Sequence, residues 1–301
     1  MAYEESSTKY GEILNSSRII GHPHPRRYRT IWISDVHLGT RACQADLLLD
    51  FLRHHDAESI YLVGDIVDGQ ELMKSWYWPQ SHNDVVQKIL RKVRKGTTVT
   101  YVPGNHDDGV RAFIDLQFGG VLVQDEALHR TADGQTLWVV HGDAFDSNVK
   151  FSQVLATLGS WAYDAAIAMD VAMNRVRRQV GALPWSLAAE IKRRSSHVTA
   201  YIEAYEQAVI AETRRRGHDG VVCGHIHTTA LKSVDGVLYA NDGDWVENCS
   251  ALVEHADGRL ESVHWGPVRQ TVAAVPALRP VAPVTARGAL PTGAVPTGAL
   301  P

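Results

Sequence analysis

The chain has 301 residues, of which 45% are hydrophobic and 21% are charged, values typical of a globular protein with a sizeable core. Its formal net charge of −4 gives no indication of a nucleic-acid-binding protein, and we expect no nucleic-acid partner. No run approaches the roughly 18 consecutive apolar residues of a membrane span, and the first residues do not resemble a signal peptide. Together with three cysteines that lack CxxC spacing, these features predict a cytoplasmic protein.

Short apolar runs alternate with helical patterns along most of the chain. Residues 1–28 are polar and predict a flexible arm. Helical patterns then separate five β-rich runs, at residues 29–34, 59–64, 97–104, 136–140 and 220–224. This alternation predicts an α/β fold, in which ligands gather at the carboxyl ends of the strands.

A helical segment at about residues 150–216 interrupts the alternation. Its apolar residues recur at helical spacing, and Gly217 ends the second of two predicted helices. Further strands follow, the last two as a hairpin, so that one domain is expected over residues 29–267. The Pro/Ala/Gly-rich residues 268–301 predict a disordered tail.

Side chains with metal-binding chemistry stand directly after the five β-rich runs. They are carboxylates, an amide and imidazoles, namely Asp35, His37, Asp65, Asn105, His141, His225 and His227. Divalent cations of borderline softness bind imidazole and carboxylate together, and two cations a few ångström apart need a shared carboxylate. We therefore expect two divalent ions, with Asp65 as the candidate for the shared ligand.

The remaining ligands divide into two sets of three, Asp35 with His37 and His227 for one ion and Asn105 with His141 and His225 for the other. Mn²⁺ is the expected ion, and Fe, Zn²⁺ and Mg²⁺ tolerate the same ligand mixture. A water between two such ions becomes acidic enough to attack phosphorus in line near neutral pH. The pattern therefore predicts hydrolysis of a phosphoester or diphosphate bond.

The ligands fall in five ordered blocks, Asp35-Val-His37, Gly64-Asp65-Ile-Val-Asp68, Gly104-Asn105-His106-Asp107, His141-Gly142-Asp143 and Gly224-His225-Ile-His227. Over residues 29–265 this order resembles the calcineurin-like metallophosphoesterase superfamily. The resemblance implies a β-sandwich flanked by helices. It also implies that His106 lies outside the metal ligands and assists the leaving oxygen, and that Asp68 orients His106. Asp107 and Asp143 are interpreted as supporting or turn residues.

Other features of the sequence, less specific than the metal-binding blocks, resemble those of the UDP-2,3-diacylglucosamine diphosphatase family of lipid A synthesis. They are the ISDVHLG opening, the HGD block, the helical insertion before GHIH, and the run Asn241-Asp242-Gly243-Asp244-Trp245. The resemblance implies a glycolipid substrate cleaved to UMP and 2,3-diacylglucosamine 1-phosphate, an insertion that forms a lid for acyl chains, and a peripheral position on the inner membrane. Typical members carry arginine where His106 stands, which puts the expected contact with the diphosphate in doubt.

Tryptophans and basic residues supply candidates for substrate and membrane contact. An apolar substrate wall is expected from Trp76, Trp78, Trp161 and Trp245, with core packing as the alternative for each. Residues 150–216 contain ten Lys or Arg and six Asp or Glu, a local balance of +4. Contact with anionic lipid or a phosphorylated substrate is one interpretation of this balance, and a solvated helix face is the other.

Other functions stay open at this point. A general phosphodiesterase or phosphomonoesterase would keep the metal ligands and change only the pocket. A nuclease would need a broad basic groove, and a non-catalytic scaffold would be expected to have lost ligands. His22 and His24 also form an HxH pair, but among prolines, so we interpret them as loop residues, and we expect His54 and His55 to be solvated.

Overall fold

The computed structural model describes residues 25–148 and 196–266, together with residues 169 and 173. The first half of the described chain contains strands β1 (Arg26–Ile33), β2 (His55–Val63), β3 (Thr98–Val102), β4 (Gln117–Phe118), β5 (Val121–Val123), β6 (Ala127–Arg130) and β7 (Thr136–Val139). The second half contains β8 (Gly220–Cys223), β9 (Ala230–Val234), β10 (Val237–Asn241), β11 (Ser250–Glu254) and β12 (Leu260–His264). The helices are α1 (Ala45–His54), α2 (Gly69–Lys74), α3 (Gln80–Arg94) and α4 (Ser196–Arg215), and 3₁₀ turns cover Asp108–Phe113 and Asp143–Asn148.

The strands form two sheets. One has the order β12-β11-β1-β2-β3-β5-β4, and the other the order β6-β7-β8-β10-β9. The centres of both sheets are parallel, since β1 pairs with β2, β2 with β3, β7 with β8 and β8 with β10 in that sense. Parallel neighbours bring their carboxyl ends to one edge, which is the edge that the predicted ligands follow.

Alternating side chains of β1 explain why the sheets stack. Trp32 faces the second sheet and packs with its Leu137 and Val222, whereas Ile31 and Ile33 face the opposite way, towards α1 and α3. On the outer face of the second sheet, α4 packs against strands β7, β8 and β10. The layers are thus helix, sheet, sheet and helix, and the expected β-sandwich flanked by helices is confirmed.

Some element bounds differ from the predicted ones. The first strand begins at Arg26, three residues earlier than predicted, and the second begins at His55, four residues earlier than predicted.

The prediction that His55 is solvated is wrong, because the residue is 2% exposed and its ring centroid stacks 4.3 Å from that of Phe51. A neutral imidazole that donates Nδ1–H to the Phe51 carbonyl, at 2.9 Å, can be buried in this way.

Residues 1–24 of the predicted arm, the tail and most of the insertion lie outside the described residues, whereas residues 26–28, predicted as part of the arm, belong to β1. The insertion is described from Ser196 onward, where α4 forms part of the second predicted helix and ends before Gly217, whose φ is +75°. None of the described helices is long and apolar enough to cross a membrane.

Candidate metal centre

Each predicted ligand follows the carboxyl end of a strand, in a tight loop with unusual backbone geometry. Positive φ angles of +48° to +71° occur at five of these positions, Asp35, His37, Asp65, His225 and His227. This left-handed conformation costs roughly 1–2 kcal/mol for a residue other than glycine, and such strain clusters at functional sites. Backbone hydrogen bonds hold the loops together, such as His37 N–H to the Asp65 carbonyl at 2.9 Å.

Two glycines allow these loops to approach one another closely. A Cβ atom at Gly64 would lie 2.2 Å from His141 Nδ1, and one at Gly104 would lie 2.2 Å from Asp65 Oδ1. Both positions therefore exclude every side chain, which is the physical reason for glycine before Asp65 and before Asn105 in the sequence.

The first group of potential ligands consists of Asp35, His37 and His227, whose ligand atoms lie within 4.8 Å of one another. His227 Nε2 lies 3.2 Å and His37 Nε2 lies 3.9 Å from Asp35 Oδ1. Burial of Asp35 raises the pKa of its carboxyl, but His227, His141 and His37 together lower it more, so that the pKa lies well below the usual range. The group thus presents an ionised carboxylate beside two imidazoles.

The second group consists of Asp65, His141 and His225, again within 4.8 Å of one another. Asp65 Oδ2 lies 3.4 Å from His141 Nε2 and 4.0 Å from His37 Nε2, so one carboxylate oxygen is near imidazoles of both groups. Burial lowers the pKa of His141, but the Asp65 and Asp35 carboxylates raise it to about 10. The negative charge of the two carboxylates therefore favours a cation at this position, and a metal ion would bind there in place of the His141 proton.

Four buried atoms of the predicted ligands make no hydrogen bond within the described chain: Asp35 Oδ1, His37 Nε2, Asn105 Oδ1 and His141 Nε2. Leaving a buried polar atom unsatisfied costs about 1–3 kcal/mol. Imidazole nitrogen, amide oxygen and carboxylate oxygen are all ligands of divalent cations, so bound ions would satisfy these atoms. The side chains therefore fit a divalent metal site, as predicted.

His106 and Asp68 stand beside this cluster. Asp68 Oδ2 lies 2.9 Å from His37 Nδ1 and 3.0 Å from His106 Nδ1, and Asp68 Oδ1 accepts the Glu71 backbone N–H at the start of α2. The Asp68 contact raises the pKa of His106 against the lowering effect of burial. The structure thus brings together the pair that the resemblance implied, and adds a contact of Asp68 with His37.

Supporting residues tie the loops to the sheets. Asp107 accepts the Ile66 backbone N–H at 2.8 Å and contacts the Tyr101 hydroxyl, so it fixes the loop after β3 to that after β2. Ser34 and Asp242 stand behind Asp35, with Ser34 Oγ 2.6 Å from Asp35 Oδ2 and 2.5 Å from Asp242 Oδ1. The sequence motifs indicate no role for Ser34, because its contact with Asp242 spans 208 residues.

The tryptophans predicted to line a substrate wall lie in different environments. Trp76 is 77% exposed just after α2, and Trp78 is partly buried against the helix-side core. Trp245 is fully buried and packs on Phe51, with ring centroids 5.3 Å apart, because the two loops around it hydrogen bond to its backbone. This burial corrects the expectation that Trp245 lines a substrate cleft. Trp161 lies outside the described residues.

The geometry of the sheets and of their strand-end cluster has a counterpart in a known family. The chain belongs to the calcineurin-like phosphoesterase family, whose model matches residues 28–229. It is therefore a metallophosphoesterase, an enzyme that hydrolyses phosphoester bonds.

Curated relatives carry a more specific name. UDP-2,3-diacylglucosamine hydrolase of Shewanella sp. (strain MR-7) is 24% identical over 241 residues, which are 76% of this chain and 95% of the relative. The enzyme of the same name from Edwardsiella ictaluri (strain 93-146) is 25% identical over 250 residues, covering 76% of this chain and 89% of the relative.

Solved structures with a similar fold share little sequence. YfcE, a phosphoesterase from E. coli, matches with a TM-score of 0.44 and 14% identity over 82% of this chain and 97% of its own. Vps29 with bound Zn²⁺ from Entamoeba histolytica matches with a TM-score of 0.42 and 14% identity, over 82% of this chain and 97% of its own.

Proposed function

We propose that the chain hydrolyses its substrate with two divalent ions, for which Mn²⁺ is the candidate. Asp35, His37 and His227 hold one ion, Asn105, His141 and His225 hold the other, and Asp65 is shared. The supporting observation is the position of Asp65 Oδ2, 3.4 Å from His141 Nε2 and 4.0 Å from His37 Nε2. When bound, the ions supply activation of water and neutralisation of phosphate charge.

His106 is proposed to act on the leaving oxygen, with Asp68 as its positioning partner. The His106 side chain is 31% exposed, whereas those of His37 and His141 are almost wholly buried, so His106 can reach a substrate above the ligands. Asp68 holds Nδ1 of His106 and leaves Nε2 to face the substrate. The backbone N–H of His106 donates to Asp65 Oδ1 at 2.8 Å, which keeps the histidine beside the shared carboxylate.

The proposed substrate is UDP-2,3-diacylglucosamine, cleaved at its diphosphate to UMP and 2,3-diacylglucosamine 1-phosphate. Support comes from the names of the curated relatives, most of whose length this chain covers. Exposed apolar side chains shortly after Asp68, Met73 at 85% and Trp76 at 77%, give a surface suited to acyl chains. Because the proposed substrate is a glycolipid, we propose that the protein acts as a peripheral enzyme on the cytoplasmic face of the inner membrane.

The test supplies purified protein and Mn²⁺ with UDP-2,3-diacylglucosamine and measures UMP release. A chelated sample and an Asp65→Asn variant serve as controls, and both should release less than 1% of the UMP. If the protein hydrolyses simple phosphodiesters or phosphomonoesters but releases no UMP, the glycolipid substrate is wrong and the protein is a general phosphoesterase. Failure to bind any metal would favour a non-catalytic scaffold.

A further inference from the structure

The imidazole of His225 is held by residues outside the five sequence blocks. Its Nε2 lies 3.0 Å from Oδ2 of Asp146, which stands in the 3₁₀ turn after His141. The other carboxylate oxygen of Asp146, Oδ1, accepts a hydrogen bond from the hydroxyl of Tyr201, on the second turn of α4. A chain of contacts thus runs from α4 through one carboxylate to a proposed metal ligand.

The rest of His225 is equally constrained. Its backbone N–H donates to Asp35 Oδ2 at 2.8 Å, and its ring centroid lies 5.2 Å from that of His141 and 6.0 Å from that of Tyr205. With Nε2 directed at Asp146, Nδ1 is the nitrogen that remains to bind a cation. A neutral imidazole that binds a metal through one nitrogen carries its proton on the other, which needs an acceptor.

We infer that Asp146, held by Tyr201, is a positioning residue that fixes the tautomer and ring orientation of His225 for metal binding through Nδ1. The inference rests on the proposed metal centre. Carboxylates that accept from a metal-binding histidine typically change metal affinity or activity 10–100-fold when replaced. Because Tyr201 belongs to α4, the described helix of the insertion contributes directly to the geometry of one metal site.

The experiment measures Mn²⁺ binding to the full chain by isothermal titration calorimetry. The wild type should bind two ions. Asp146→Ala should lose about 10–100-fold in affinity for one of them, and Asp146→Asn, which keeps a neutral acceptor, should lose less. Tyr201→Phe should fall between Asp146→Asn and the wild type.

A matched control is Asp219→Asn. Asp219 stands before β8, at the end of that strand opposite His225, accepts the Thr136 backbone N–H at 2.8 Å, and is not part of either proposed ligand group. This variant should bind both ions as the wild type does. Melting temperatures of all variants in chelator establish that each is folded before binding is compared.

Electron paramagnetic resonance supplies a readout that a general loss of stability would not move. At two equivalents of Mn²⁺ the wild type should give the multiline signal of two coupled ions, and Asp146→Ala should give the six-line signal of isolated Mn²⁺. Asp146→Ala with wild-type affinity and a coupled signal would overturn the inference. So would an Asp146→Asn loss as large as that of Asp146→Ala, because Asp146 would then be a ligand itself. If the wild type binds no Mn²⁺, the proposed function fails instead.

Discussion

Asp242 is a carboxyl group with no exposed atom, placed behind a proposed metal ligand. Burial and the nearby Asp35 raise its pKa well above the usual range, although a hydrogen bond with Ser34 lowers it. The single hydroxyl hydrogen of Ser34 cannot be donated to Asp35 Oδ2 and Asp242 Oδ1 at once. A protonated Asp242 would donate to Ser34 Oγ and leave the Ser34 hydroxyl to donate to Asp35 Oδ2. In that state the Asp35 carboxylate is held in place by two neutral groups, the Ser34 hydroxyl and the Asp242 carboxyl behind it.

If Asp242 is neutral, its asparagine variant should be more stable than its alanine variant. Asp242→Asn keeps a donor towards Ser34 and should lower the free energy of unfolding by less than about 1 kcal/mol. Asp242→Ala removes the donor and leaves a small cavity, which should cost about 2–4 kcal/mol. Urea unfolding in chelator compares the two, and equal losses would show that Asp242 acts as an anion.

The buried imidazole of His55, which is not one of the proposed metal ligands, should make the stability of the protein depend on pH. Burial lowers its pKa to about 4, despite the raising effect of the Phe51 carbonyl, whereas an unfolded imidazole titrates near 6.5. The stabilisation from the neutral ring is complete above about pH 6.5 and is lost as the pH falls towards 4. The loss of stability is at most about 3 kcal/mol, because each unit of difference between the folded and unfolded pKa corresponds to about 1.36 kcal/mol.

His55→Phe keeps an aromatic ring beside Phe51 and removes the titration. Denaturant unfolding at pH 7 and pH 5 should therefore show a smaller loss of stability in the variant than in the wild type. All other titrating groups are common to both proteins and cancel in the comparison. Equal losses in the two proteins would exclude His55 as the source.

Among the elements, α4 packs closely against a glycine in the loop after β7. Gly142 follows His141, and a Cβ atom there would lie 1.9 Å from the Tyr205 hydroxyl of α4. Tyr205 is wholly buried among residues of β7, β8 and β10, so it has no room to move aside. The loop after β7 and the helix α4 are therefore packed as one unit.

Gly142→Ala and Gly134→Ala separate steric clash from backbone strain. Both glycines have positive φ, +108° and +92°, but nothing lies within 4 Å of a Cβ at Gly134. Gly134→Ala should cost about 1–2 kcal/mol, and Gly142→Ala should cost at least about 2 kcal/mol more, because it displaces α4. Thermal unfolding measures both, and similar losses would contradict the close packing of α4.

The two sheets are also joined by a buried ion network. Glu254 of β11 has no exposed side-chain surface and contacts Arg29 at 2.7 Å, Thr30 at 2.9 Å and His129 of β6 at 2.8 Å. Burial raises the pKa of Glu254, but His129, the Ala132 backbone N–H and Thr30 together lower it more, so Glu254 is charged in the folded protein. The contacts link β1 and β11 in one sheet to β6 in the other.

Removal of Glu254 should therefore weaken the whole sandwich. Glu254→Ala leaves Arg29 and His129 without their acceptor and should cost about 3–5 kcal/mol, as expected for the loss of one partner of a buried pair. Glu58→Ala, which removes an exposed carboxylate 3.8 Å from Arg27, should cost less than 1 kcal/mol. Urea unfolding of both variants tests this difference.

At the scale of the whole molecule, both sheets contribute to the same cluster. Asp35 and Asp65 follow strands of the seven-stranded sheet, and His141 and His225 follow strands of the five-stranded sheet. Ions bound between them would join the sheets, so metal binding and global stability should be linked.

Metal removal tests this linkage. An ion at 100 times its Kd stabilises the folded state by about 2.7 kcal/mol, which raises the Tm of a domain of this size by roughly 5–10 °C. Mn²⁺ should therefore raise the Tm above that measured in EDTA, and Asp65→Asn should remove most of the increase. An unchanged Tm in the wild type would contradict a metal site between the sheets.

Local sequence patterns were sufficient for the features that depend on neighbouring residues. The α/β alternation and the phosphoesterase class follow from short sequence blocks. So do the loops that carry Asp65, Asn105 and His225, because a glycine stands directly before each of these ligands. The helical patterns expected between the β-rich runs include α3, which covers Gln80–Arg94. Periodicity and tight turns are properties of a few consecutive residues, so they are visible in the chain itself.

Tertiary structure alone decided the features that depend on distant partners. His55 is buried because Phe51, Tyr28 and Trp265 surround it, Trp245 packs on α1 and not on a substrate, and Asp146 meets a histidine 79 residues away. A histidine, a tryptophan or an aspartate looks the same in the sequence whether it is solvated or buried. Its role is determined by which side chains the two sheets bring to it, and that proximity is a property of the folded sandwich.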